Sequence, residues 1–196
     1  GMMACYGCEK EARDIIAELG DASPRIERVQ FKDVASCLMV QAPTQLAARI
    51  SKNSSIYLYD IDQIIIYVAE QAIRQPGCDK REVKNMVQAK MNIRFGVASA
   101  IVKKSVEDIN WNFPYEREVL GLMKKCMLIS KEEYTMLFPN YTSVSIRIIF
   151  RDGTEIFDAQ EDMIPLSLEQ DRERFLSTLN KRMNDEQMNR IIKMID

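Results

Sequence analysis

The chain has 196 residues, 46% of them hydrophobic and 29% charged, with 27 Lys and Arg against 29 Asp and Glu for a net charge of −2. That is an ordinary globular balance, enough for one good core or two small ones; the lack of a basic block argues against a nucleic-acid partner, and the apolar runs are far too short to span a membrane. There is no histidine, which excludes Ser-His-Asp and Cys-His catalysis and every His-containing zinc site within the chain, and five cysteines at this length do not read as a disulfide framework.

Cys5 to Leu19 reads as a helix, with Cys8, Ala12, Ile15, Ile16 and Leu19 on one face and Gly20 at the C-terminal position that favours a left-handed residue. No signal peptide is expected ahead of it, so a reducing cytoplasm is the default location. Arg25 to Val34 reads as a strand with Val29 and Phe31 on one face. Ala35 to Tyr59 is the least legible stretch, with a short helix after Pro43 and a β-like piece at Ile56–Tyr59. Asp60 to Arg74 predicts a helix buried widely through Ile61, Ile64, Ile65, Ile66 and Val68, ended by Pro76-Gly77. Asp79 with Glu82 predicts a capped helix carrying Val83, Met86, Val87 and Met91. The small apolar run from Arg94 to Ser105 reads as a core helix. Phe113-Pro114 opens another, with Val119, Leu122, Met123 and Cys126 inside, and Met127 to Ile129 reads as a short strand. Ser130 and Glu133 have capping-box spacing before a short helix that ends near Phe138-Pro139.

The clearest pattern follows. Val144, Ile146, Ile148 and Phe150 alternate along a strand, Asp152-Gly153 supplies a tight turn, and Thr154 to Ala159 returns. Pro165-Leu166-Ser167 leads into a helix to Met183, with Phe175, Leu179 and Met183 inward and Ser167 and Gln170 spaced as a capping box. Asn184 caps a last helix with Met188, Ile191, Ile192 and Ile195 on one face. The fold class expected is α+β: a small antiparallel sheet with a C-terminal hairpin, packed against several helices.

Residues with chemical potential are few. Cys5 and Cys8 form a CxxC at a helix start, where a thiol can be acidified, but packing explains them as well; a zinc site needs two more ligands. Cys37, Cys78 and Cys126 read as solitary. Glu9 can act as a base if buried, or belong to a solvated first turn with Glu11, Arg13 and Asp14. Arg94 can bind an anion or form a structural ion pair. No metal or cofactor is expected.

Four pieces, in order, resemble the C-terminal region of the MmgE/PrpD family, which includes 2-methylcitrate dehydratase, cis-aconitate decarboxylase and iminodisuccinate epimerase. They are Met3-Ala4-Cys5 with its helix and Arg25-Ile26-Glu27-Arg28-Val29; Asn92-Ile93-Arg94-Phe95; Leu137-Phe138-Pro139 with Asp152-Gly153; and Pro165-Leu166-Ser167 through Arg174-Phe175. The resemblance leaves out roughly residues 41–90, which read as an insertion. It implies a lid-like α+β domain over residues 1–167 and a helical pair over 168–196 that returns to a separate all-helical domain. Cys5 and Glu9 occupy the last two positions of the family's opening catalytic cluster, in altered form, and Arg94 matches its basic residue before phenylalanine. Two functions are compatible: an association domain without chemistry of its own, forming a homodimer through helices at 60–74 and 80–91; or half of a split enzyme for a small di- or tricarboxylic acid, completed by a helical-domain chain.

Overall fold

A computed structural model describes residues 29–180 and 183–195. The expected helix at 5–19, with Cys5, Cys8 and Glu9, and the start of the strand expected from Arg25 lie outside the described residues. The described chain runs α1 (Leu38–Asn53), β1 (Ile61–Val68), α2 (Glu70–Arg74), α3 (Met86–Met91), α4 (Ile93–Lys103), α5 (Arg117–Lys125), β2 (Cys126–Ser130), α6 (Glu132–Leu137), β3 (Val144–Phe150), β4 (Glu155–Gln160), α7 (Leu168–Asn180) and α8 (Asp185–Ile195). The four strands form one sheet in the order β2-β1-β3-β4. β1 is parallel to β2 and antiparallel to β3, and β3 pairs with β4 as the expected hairpin. The α+β class therefore holds, with one parallel pair in a mostly antiparallel sheet. Among the described residues, no helix is long and apolar enough to cross a membrane.

The turn at Asp152-Gly153 works as its chemistry predicts. Gly153 has φ +83°, a value that costs an L side chain energy. Asp152 accepts from the Thr154 hydroxyl at 2.7 Å and the Thr154 amide at 2.9 Å, and these two bonds hold its carboxyl below the usual range.

The sheet has one closed face and one that stays partly open. Ile64 and Ile66 sit opposite Cys126 and Leu128 on one side and Ile148 and Ile146 on the other. All six are buried. On the opposite face lie Ile65, Tyr67, Met127, Ile129, Ile149 and Phe157, each at least partly exposed. α1 and α4 run against each other over the closed side. They approach at Gly96, where an added Cβ would lie 2.8 Å from Val40 Cγ1 and closer still to Thr44 Oγ1.

Several sequence expectations change here. Residues 61–68 form the sheet's inner strand β1 rather than a helix. β-Branched side chains on both faces of an inner strand erase the alternation that would mark it, and three consecutive isoleucines suit a pleated strand better than a helix. The proposed dimer helix at 60–74 therefore does not exist. α1 passes straight through Pro43, although the sequence suggested only a short helix after it. Val40 to Ala48 are buried without a break, so no polar stripe betrays the helical period. Ile56–Tyr59 is not a strand; it leads into a turn, closed by the Asp60 amide donating to the Tyr57 carbonyl. Of the expected strand to Val34, the described part makes a single bridge, Phe31 to Leu166.

Capping separates local rules that worked from those that were overridden. Ser167 and Gln170 exchange bonds of 3.0 and 3.1 Å, and Asn184 and Gln187 do the same at 3.3 and 2.9 Å. The Ser130–Glu133 box is not made: α6 starts after Lys131 with no side-chain cap. Asp79 does not cap α3 either; Asn85 does, accepting from the Gln88 amide at 3.0 Å. Only Ala89 of α3 is buried, and Met86 and Val87 are exposed. In α7, Leu179 is buried, but Phe175, and Met183 beyond it, stay about 40% exposed.

Candidate functional site

Asn92 builds the candidate site. It caps α4 by accepting from the Phe95 amide at 2.9 Å, and its amide group donates to the carbonyls of Gly77 (3.2 Å) and Lys80 (2.7 Å). The loop from Gly77 to Lys80 is thus held against the start of α4, with Asp79 beside Arg94. Arg94 Nε donates to Asp79 Oδ1 at 2.7 Å, and Nη2 lies 2.5 Å from the same oxygen. Its Nη1 donates to the Cys126 carbonyl, at the junction of α5 and β2. The residue is 7% exposed, so the guanidinium fastens a loop, a helix and the start of the edge strand β2 together. An arginine suits this place because its planar fork reaches acceptors in two directions at once.

Arg94 also lines a cavity of about 230 Å³ with Gln63, Arg81, Lys124, Lys125, Met123, Cys126 and Met127. Among the described residues, four cations and no carboxylate border it. Lys125 Nζ donates to the Ile61 carbonyl. Burial pushes the Cys126 thiol up to about 12 against the opposing charge of Arg94, so it stays protonated. The cavity can hold a small anion by charge.

A larger cleft of about 690 Å³ lies beside α1 and α7. Arg49 pairs there with Asp158 at 3.0 Å and donates to Gln160 at 3.1 Å, while Arg174 pairs with Asp33 (2.7 Å) and Glu107 (3.2 Å). Buried Gln45 donates to the Ile164 carbonyl at 2.7 Å and accepts from the Ile164 amide at 2.9 Å, pinning the segment before α7. Both guanidiniums at this cleft are already used in holding elements together.

Sequence reasoning gave Arg94 but missed Asp79 as its partner, because the Asp79–Glu82 spacing looked like a cap. It also missed that Cys37 and Cys78 are not solitary. Each thiol is the largest influence on the acidity of the other, lowering Cys37 to about 6 and raising Cys78. No local pattern signals a contact across so long a separation. Cys5 and Glu9 lie outside the described residues. Among the described residues, no three Cys, Asp or Glu side chains converge as metal ligands.

Comparison with curated proteins returned no match. A family model for the MmgE/PrpD C-terminal domain matches residues 34–195, a span that takes in all four strands and α1 through α8. On this match, the chain belongs to the MmgE/PrpD family, of which it carries the C-terminal domain.

Proposed function

We propose that this domain performs no catalysis by itself and works by association, docking to a second copy of itself or to a separate helical-domain chain. The observation that supports this reading is the open sheet face of Ile65, Tyr67, Met127, Ile129, Ile149 and Phe157. Polar side chains interleave on this face, with Arg147 between Ile65 and Phe157 and Gln63 opposite Ile149, and exposed apolar side chains on a rim of polar ones mark an interaction surface more often than a free one. The exposed rings and side chains of Phe175, Met183 and Met194 extend the same character to the C-terminal helices. The missing histidines leave no ordinary neutral-pH acid or base. Light scattering and native mass spectrometry on the full chain test it. A stable dimer, or a stoichiometric complex with a helical-domain chain, that Phe157→Arg disperses without lowering Tm supports the reading. A monodisperse wild-type monomer that finds no partner in its own cells overturns it.

The cationic cavity favours a second reading, half of a split dehydratase-, decarboxylase- or epimerase-type enzyme for a small di- or tricarboxylic acid. Arg81, Arg94 and Lys124 then hold a substrate carboxylate while the helical-domain chain supplies the proton-transfer groups. Calorimetric titration with citrate should show saturable binding that Lys124→Glu abolishes. No heat at millimolar citrate would remove this reading.

A further inference from the structure

We propose that Cys37 and Cys78 are a dithiol pair that oxidises reversibly to an intramolecular disulfide, linking the start of α1 to the loop that carries Asp79. The backbone supports the pairing. The Cys37 amide donates to the Lys90 carbonyl at 2.9 Å, and the Ile93 amide donates to the Cys78 carbonyl at 3.0 Å. The end of α3 and the start of α4 therefore anchor both cysteines, and Asn92 at their junction also grips Gly77 and Lys80 on either side of Cys78. With both backbones held there, each thiol is the strongest influence on the acidity of the other. Cys37 is half-buried and Cys78 fully buried, so one sulfur can be reached from solvent and the other waits behind it.

That asymmetry sets the order of steps. Cys37 takes the role of attacking thiolate, because it is the more accessible sulfur and because Cys78, the nearby backbone of Met39 and Leu38 at the head of α1 and the Lys32 ammonium all favour its charged form. Its sulfur attacks one sulfur of a low-molecular-weight disulfide such as glutathione disulfide. The disulfide's S–S bond breaks, a new S–S bond forms to Cys37, and one glutathione thiolate leaves. Cys78 then loses its proton and attacks the Cys37 sulfur, and the second glutathione leaves as a thiolate that takes up that proton. Two protein thiols are oxidised and one glutathione disulfide is reduced to two glutathiones. Closure brings the sulfurs to bonding distance, about 2.05 Å.

Equilibrating the full chain in glutathione buffers of graded redox ratio, trapping with N-ethylmaleimide and mapping the tryptic peptides tests the proposal. The expected product is a cross-link between peptide 33–49, which holds Cys37, and peptide 75–80, which holds Cys78. It should disappear on adding dithiothreitol. In Cys78→Ser the resolving thiol is gone, so a glutathione adduct on Cys37 should accumulate; in Cys37→Ser no adduct should form on Cys78. The wild-type map stands even if the buried Cys78→Ser variant folds poorly. Full maleimide labelling of both cysteines at the most oxidising ratio would overturn the proposal, as would a cross-link from Cys37 to Cys5, Cys8 or a second copy.

Discussion

The α1–α4 contact and the α7–α8 pair both set one helix against another and end up in opposite conditions. Along α4, Ile93 to Ile101 are buried without a break, and Gly96 lets α1 approach to side-chain contact. Along α7 only Leu179 is buried, and Met188, Ile191 and Ile192 of α8 stay partly exposed. The first region is a finished core, in which any change of volume or charge must be absorbed by neighbours that have no room. The second is held by caps and a few polar ties such as Arg174 to Asp33, and it leaves apolar surface exposed. Stability is concentrated in the first, and exposed apolar surface in the second.

The contrast can be broken most forcefully at Arg94. Arg94→Ala should leave Asp79 and the Cys126 carbonyl without their donor. Losing one partner of a fully buried pair costs about 3–5 kcal/mol; because the Asp79 side chain keeps 31% exposure, a loss of roughly 2–3 kcal/mol is expected, read from the urea midpoint. A shift indistinguishable from zero would mean that Arg94 does not hold the fold. Gly96→Ala comes next, at about 1–3 kcal/mol from forcing Val40 and Thr44 aside; if Tm is unchanged, α1 and α4 are not tightly apposed. At the other region, Ser167→Ala removes one cap bond from the start of α7 and should cost about 1 kcal/mol. Hydrogen exchange should show the effect confined to α7, and protection lost across the sheet would contradict the division drawn here.

The smallest expected effect on stability sharpens the comparison at α1's own start. Cys37 has its nucleophilic thiolate above about pH 6 and loses it as pH falls through that value. Iodoacetamide alkylation of Cys37 should rise between about pH 5 and 7, well below the ordinary thiol range. Cys78→Ala removes the largest cause of the depression and should move the profile upward, leaving burial, the Met39 and Leu38 amides and Lys32 to act alone. An unchanged profile would mean that helix end and lysine, not the partner thiol, set the acidity.

Much of the architecture was written locally. The alternation at 144–150, the Asp152-Gly153 turn, the Ser167–Gln170 and Asn184–Gln187 pairs and the small-residue helix at 93–103 each depend on side chains a few positions apart, so short-range patterns determine them. Their order also carried the family resemblance, and composition alone removed histidine chemistry. Three features depended on partners far along the chain. β1 looked helical because a strand enclosed by neighbours is apolar on both faces, and only its pairing with β2 and β3 distinguishes it. α1 hid its period by being buried on every side and by containing Pro43. Asp79 obeyed a capping rule in the sequence and was taken instead by the stronger charge of Arg94, fifteen residues on, just as Cys37 and Cys78 met across a longer gap still. Local chemistry fixes the elements whose competitors are nearby; where an element is buried on all sides, or a charge or thiol finds its partner through space, packing decides.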